Sequence, residues 1–193
     1  ETEDLLQLAE KQGLAVHENY MFLYHSQLQK VRDLINDGVL GELRLIRAAF
    51  GFPKREEGDF RYNNALGGGA LLDCGGYPVR LALELLGTDA SVTQARLIRP
   101  EGYEVDLFGN AVMENKDGIC AQIAFGMDNS YKCELEIWGS KGCLSTERIF
   151  TAPDGYRPTV VYVSTSGKRT EVLSSDDHFR NSIGRFVEYT RVG

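Results

Sequence analysis

The sequence predicts an α+β fold: an open, mostly antiparallel β-sheet with helices packed on one face. Three observations carry that prediction. Apolar residues recur at helical spacing near both ends and over residues 70–87, runs that alternate apolar and polar crowd residues 91–172, and the links between those runs are short. The 193 residues are 42% hydrophobic, 25% charged and 10% aromatic, a globular profile with enough apolar material for a sizeable core. A net charge of −7 with no basic run longer than two excludes a nucleic-acid footprint. No apolar stretch approaches the roughly 20 residues of a membrane span, so a soluble, cytoplasmic protein is expected.

Residues 1–12 read as a helix closed by Gly13, with Leu5, Leu8 and Ala9 on one face, followed by an apolar strand from Leu14 to His17. A helix and then an apolar strand is the order found at the end of a doubly wound α/β domain. Residues 1–18 are therefore expected to be the tail of such a domain and 19–193 the α+β domain. The chain opens on Glu1 with a helix already under way, as a fragment of a longer protein would. Residues 25–37 give a second helix with Leu28, Val31, Leu34 and Ile35 as its stripe, stopped by Gly38. ELRLIRAAFGF reads as a strand whose alternation slips near Ile46, as a bulge would make it. Residues 53–66 are charged and loop-like.

Beyond Gly87 come the strand runs SVTQARLI, VDLFGNAVME, GICAQIAFGM, YKCELEIWGS, TVVYVS and GKRTEVL. Ile119, Ala121, Ile123, Phe125 and Met127 share one face, as do Tyr131, Cys133, Leu135 and Ile137. Links such as ENKDG suit hairpins. The closing DDHFRNSIGRFVEYTRVG reads as a helix capped by Asp176 or Asp177, with Phe179, Ile183, Phe186 and Val187 as its stripe. The four cysteines form no CxxC pair and no metal spacing with the three histidines, so they read as buried free thiols and no metal is expected. Cys133 and Cys143 could meet across a hairpin, but cytosolic thiols are expected to stay reduced.

The most informative stretch is GGGALLDCGGYPVRLALELLG, residues 67–87. Three consecutive glycines call for a sharp reversal or a close backbone approach. They match no G-x-G-x-x-G fingerprint. Pro78 leaves two readings open: one helix beginning near Ala70 and kinked at Pro78, or a helix starting at Pro78 with Tyr77 outside it. In the first, Asp73 and Tyr77 share a face. On residue chemistry alone, Tyr77 before a proline reads as packing, because a phenol titrating near 10 works best as an acid beside a cation or a polar partner that lowers that value, and Asp73 is not such a cation.

This stretch resembles the glycine-rich segment of the C-terminal domain of the glucose-fructose oxidoreductase, inositol dehydrogenase and rhizopine-catabolism protein (Gfo/Idh/MocA) superfamily. ENYMFLYHSQLQKVRDLINDGVLGELRLIRAAFG is similar to the segment joining that family's Rossmann domain to its second domain, and the GSKGCLS turn fits too. Within the superfamily the features HENYMFLYHSQ, FRYNNALGGGALLDCGGYPVR and AQIAFGMDNSYKCELEIWGSKGCLS look most like the sugar-nucleotide 3-ketoreductases of deoxysugar biosynthesis. The resemblance implies NADP- or NAD-dependent reduction of a keto group on a nucleotide-linked deoxysugar. The cofactor would be held mainly by the Rossmann domain, upstream of Glu1. It implies that Tyr77 protonates the carbonyl oxygen and that Asp73 positions the sugar. Asn19, Tyr24, His25, Arg61 and Tyr62 would form the substrate wall, with Arg61 toward a diphosphate, and copies would associate through the sheet as a homodimer or homotetramer. The family's lysine, in an E-K-P motif, has no counterpart, since Glu10 and Lys11 are followed by Gln12. A free-sugar or dihydrodiol dehydrogenase of the same superfamily and a non-catalytic oligomerisation module remain alternatives.

Overall fold

The computed structural model describes residues 2–192. The described residues form four α-helices, α1 (Thr2–Gln12), α2 (Ser26–Asn36), α3 (Gly76–Leu86) and α4 (His178–Val192), and eight strands, β1 (Leu43–Gly51), β2 (Ser91–Ile98), β3 (Phe108–Glu114), β4 (Cys120–Gly126), β5 (Lys132–Gly139), β6 (Gly142–Glu147), β7 (Thr159–Ser164) and β8 (Gly167–Val172), with β2 to β8 following one another directly. The strands form one sheet in the order β2-β3-β4-β1-β5-β6-β7-β8. β1 pairs parallel with β4, and the other neighbours run antiparallel. The mostly antiparallel sheet expected from the short links is present.

Period two fixes which side of each strand meets the helices. Ala121, Ile123, Phe125 and Met127 are buried, as are Cys133, Leu135 and Ile137, while Tyr131 at the foot of β5 is exposed. These side chains pack with Leu28, Val31 and Leu34 of α2 and Leu81, Ala82 and Leu86 of α3 in one core. The expected bulge falls between Leu43 and Leu45, slightly ahead of Ile46.

Four expectations need correction. Leu14 to His17 is not a strand: Leu14 and Val16 are largely exposed and no neighbouring strand satisfies their backbone. Strand β6 was not expected, because GCLSTE carries too few apolar residues. It forms because only Leu144 and Thr146 need to face inward between β5 and β7. The stripe expected on α4 faces outward at Phe179 (49% exposed), Ile183 (57%) and Val187 (38%), and the buried positions are His178 and Ser182. The cysteines are free as expected, but Cys143 is exposed and Cys120 half-buried, so only Cys74 and Cys133 are buried thiols. At the start of α4, Asp177 accepts a hydrogen bond from the Arg180 N–H (2.9 Å), and Asp176 instead accepts from Ser26 N–H at the start of α2 (2.8 Å). No described helix is long and apolar enough to cross a membrane.

Candidate active site

Residues 71–75 make a π-helical turn that runs without a break into α3, so the helix begins near Ala70 and passes through Pro78. Proline there lacks the N–H that would reach back to Cys74, and its ring crowds that carbonyl; the widened turn just upstream relieves both. The first of the two sequence readings is therefore the observed one, with Asp73 and Tyr77 one turn apart on the helix.

The glycines explain how that helix is seated. Gly69 sits at φ +118°, where a side chain would be strained, and a Cβ on Gly68 would run into the Arg61 and Asn63 carbonyl oxygens. The turn donates to both of those carbonyls, Gly68 N–H to Asn63 O and Gly69 N–H to Arg61 O, each at 2.9 Å. The next two N–H groups, of Ala70 and Leu71, donate to the Asp106 carbonyl and carboxylate at 2.8 Å. With those four donors engaged, this helix start holds no free cradle for a cofactor pyrophosphate.

Tyr77 lies half-buried in an aromatic cage. Ring centroids of Phe50 at the end of β1, Tyr20, Phe22 and Phe150 stand 5.1, 5.4, 6.0 and 6.0 Å away. Its hydroxyl takes no hydrogen bond from a described residue, so the oxygen is available to a ligand. Burial pushes its pKa above the ordinary tyrosine value, and the Asp73 carboxylate and the Cys74 thiol push the same way. Cys74 itself points into the core beside Ala70 O and is driven up to about 12, chiefly by burial, which makes it inert.

Asp73 Oδ1 is 3.0 Å from Arg61 Nε, an ion pair lying off the hydrogen-bond line. Arg61 Nη1 also donates to both oxygens of Asp59, at 3.2 and 3.3 Å. Tyr62 is beside it: its hydroxyl accepts from Arg55 N–H (2.7 Å) and its ring packs edge-on against Tyr103 at 5.8 Å. The structure thus brings Arg61 to Asp73 on the π turn, one turn from Tyr77, while the Tyr62 side chain turns to Arg55 and Tyr103.

The other three expected wall residues are anchored toward α4. Asn19 accepts from Ser182 Oγ at 2.6 Å, and that hydroxyl also meets His17 Nε2 at 2.9 Å. The Tyr24 carbonyl accepts from Asn181 (3.1 Å) and its side chain lines a groove with Arg32, Arg80 and Asn181. His25 is buried, caps α2 by accepting from Gln27 N–H at 3.0 Å, and packs edge-on against His178 at 5.3 Å. Burial lowers the pKa of both imidazoles. Sequence reasoning missed Tyr20, Phe50 and Phe150 in the cage and Asp106 at the helix start, which only tertiary contact reveals. Asp59 carried a signal, since an aspartate two residues before Arg61 is the spacing of an Asx turn.

Over residues 28–145 the chain matches the GFO/IDH/MocA C-terminal domain. The chain belongs to that family. A dTDP-3,4-didehydro-2,6-dideoxy-alpha-D-glucose 3-reductase of Streptomyces antibioticus is 40% identical over 191 residues, covering 99% of this chain and 58% of the relative. The enzyme of that description from Actinomadura kijaniata is 39% identical, covering 97% and 57%. The solved structure of KijD10, a 3-ketoreductase from A. kijaniata in complex with NADP and TDP-benzene, superposes with a TM-score of 0.93 at 39% identity, covering 96% of this chain and 57% of that one. The chain therefore spans less than three-fifths of the length of these relatives.

Proposed function

We propose that this chain is the substrate-binding part of an NADP-dependent oxidoreductase that reduces a keto group of a nucleotide-linked deoxysugar. The observation that carries the reading is a tyrosine hydroxyl with no hydrogen-bond partner among the described residues, set in an aromatic cage one helical turn from a carboxylate. The likeness to 3-reductases of dTDP-linked sugars and to a ketoreductase solved with NADP supports the chemistry. Residues 1–18 are then the end of the cofactor domain and 19–193 the substrate domain.

The chain's own residues fit the reacting end of the cofactor and not its phosphates, because the glycine turn has no donors left for them. When bound, a nicotinamide supplies the hydride. Tyr77 Oη holds the proton that passes to the carbonyl oxygen as the carbonyl carbon becomes tetrahedral, leaving a phenolate. Asp73 accepts a hydrogen bond from a sugar hydroxyl and fixes which carbon faces Tyr77. Burial in the cage raises the phenol's pKa further above neutrality, so Tyr77 enters the reaction in its protonated form. No described cation lowers the Tyr77 pKa, so the phenolate needs a positive charge from outside this chain, a role that fits the lysine implied by the resemblance.

The sheet face away from the helices carries Trp138, 56% exposed, beside Glu136, and the small residues Ala49 and Ala124 among polar neighbours. That face suits association of copies into a homodimer or homotetramer, which sedimentation of the full-length protein would report. The function itself is tested by turnover of the full-length protein on a dTDP-linked ketodeoxyhexose and on the free ketosugar. A preference of about 100-fold or more for the nucleotide-linked sugar is expected. Equal rates would contradict the reading.

A further inference from the structure

We infer that Arg61 is a positioning residue that holds Asp73, and through it Tyr77, rather than a ligand of the substrate diphosphate. The inference rests on the reading of Tyr77 as proton donor. Arg61 is fixed from several sides. Its Nε faces Asp73 Oδ1 at 3.0 Å, its Nη1 is shared between the two Asp59 oxygens, and its guanidinium lies on the Phe60 ring at 4.5 Å. Its backbone N–H donates to Asp59 Oδ1 (3.0 Å), and its carbonyl accepts from Gly69 N–H (2.9 Å). The same Gly69 accepts from the Asp73 N–H through its own carbonyl at 3.0 Å. One glycine thus ties the backbone of the arginine to the backbone of the carboxylate it serves.

The electrostatics disfavour the diphosphate role. A guanidinium recognises phosphate best through a planar edge with both N–H groups open, and here Nε faces Asp73 and Nη1 faces Asp59, so each edge is half taken by a carboxylate. Asp59 and Asp73 flank the guanidinium, so two carboxylates compete with a dianion for it. Neutralising Asp73 does serve Tyr77. The groups packed on that phenol are Asp73 and Cys74 from its own helix and Tyr20 from the segment before α2, with Phe22, Phe50 and Phe150 completing the cage. Of these, only the Asp73 charge is paired to a cation. Removing that cation leaves the carboxylate uncompensated and drives the phenol further up.

The test uses Arg61→Gln and Arg61→Lys in the full-length protein, with dTDP as the binding probe. For R61Q the expected result is a kcat lower by about 10- to 100-fold, an alkaline limb of the reduction profile displaced to higher pH, and dTDP affinity changed by less than about threefold. R61K restores the charge and brings the limb back, while kcat stays low because one ammonium does not span both carboxylates. A loss of dTDP affinity of about 100-fold with an unmoved limb would overturn the inference in favour of a phosphate ligand. Should R61Q fail to fold, Asp59→Asn removes one arm only; a reduced kcat supports positioning, and an unchanged kcat overturns it. Should the wild-type protein reduce no nucleotide-linked ketosugar, the functional reading fails separately. A crystal structure of R61Q or D59N still decides the clamp: an Asp73 carboxylate turned from its native rotamer supports it, and an unmoved one refutes it.

Discussion

Helices α3 and α4 look alike as sequences and behave differently in the fold. Both carry an apolar stripe at helical spacing. On α3 the spacing puts Val79, Ala82, Leu83 and Leu86 on one face, and the side that meets β1 and β4 buries Leu81, Ala82 and Leu86, with Val79 and Leu83 at its margin. On α4 the stripe of Phe179, Ile183 and Val187 faces outward, while His178 and Ser182 face the protein with Phe186 stacked on His17 at 5.5 Å. Periodicity shows that a helix has an apolar side. What covers that side is decided by the rest of the chain, and a site belongs on the helix whose apolar side is already covered.

The contrast can be broken or sharpened by substitution. Leu81→Ala on α3 should cost about 2–5 kcal/mol in chemical denaturation, because the site is sealed by the sheet and collapses poorly. A cost near that of a surface position would mean α3 is not anchored as described. Gly68→Ala should cost about 1–3 kcal/mol, since the new methyl meets backbone carbonyls rather than movable side-chain ends, and it should lower activity by displacing Arg61. Acid should loosen the α4 end next. Burial lowers the pKa values of His25 and His178, so the unfolded chain takes up protons first. Their contribution is intact above about pH 6.5 and is lost as pH falls through the folded values. A melting temperature that declines below that pH in the wild type, with a shallower decline in His178→Gln, checks the sign. The smallest effect is expected from Ile183→Ala, within about 0.5 kcal/mol in the chain by itself.

Much of the fold was legible because its signals are local. The face of β4 that buries Ala121, Ile123 and Phe125 follows from strict alternation, and α2 ends beside Gly38 where expected. The strand expected from Leu14 to His17 failed because an apolar run says nothing about a pairing partner. β6 was invisible because a central strand with two inward residues needs no apolar run of its own. The site divides in the same way. Asp73 and Tyr77 were visible as an i,i+4 pair once the helix reached Ala70, and the triple glycine as a forced turn. The cage from Tyr20, Phe50 and Phe150 and the Asp106 contact come from segments far apart in the chain, which no local pattern encodes. Arg61 shows the same limit: its residue type suggested a diphosphate ligand, and the Asp59 and Asp73 contacts that support the positioning proposal come from the folded neighbourhood.

The central claim is that the hydroxyl of Tyr77 delivers the proton. Tyr77→Phe deletes that oxygen and leaves the ring in its cage. In the full-length protein, steady-state reduction of a dTDP-linked ketosugar should lose about 100-fold or more in kcat, with dTDP affinity and melting temperature unchanged. A variant that turns over within about twofold of the wild type would contradict the account.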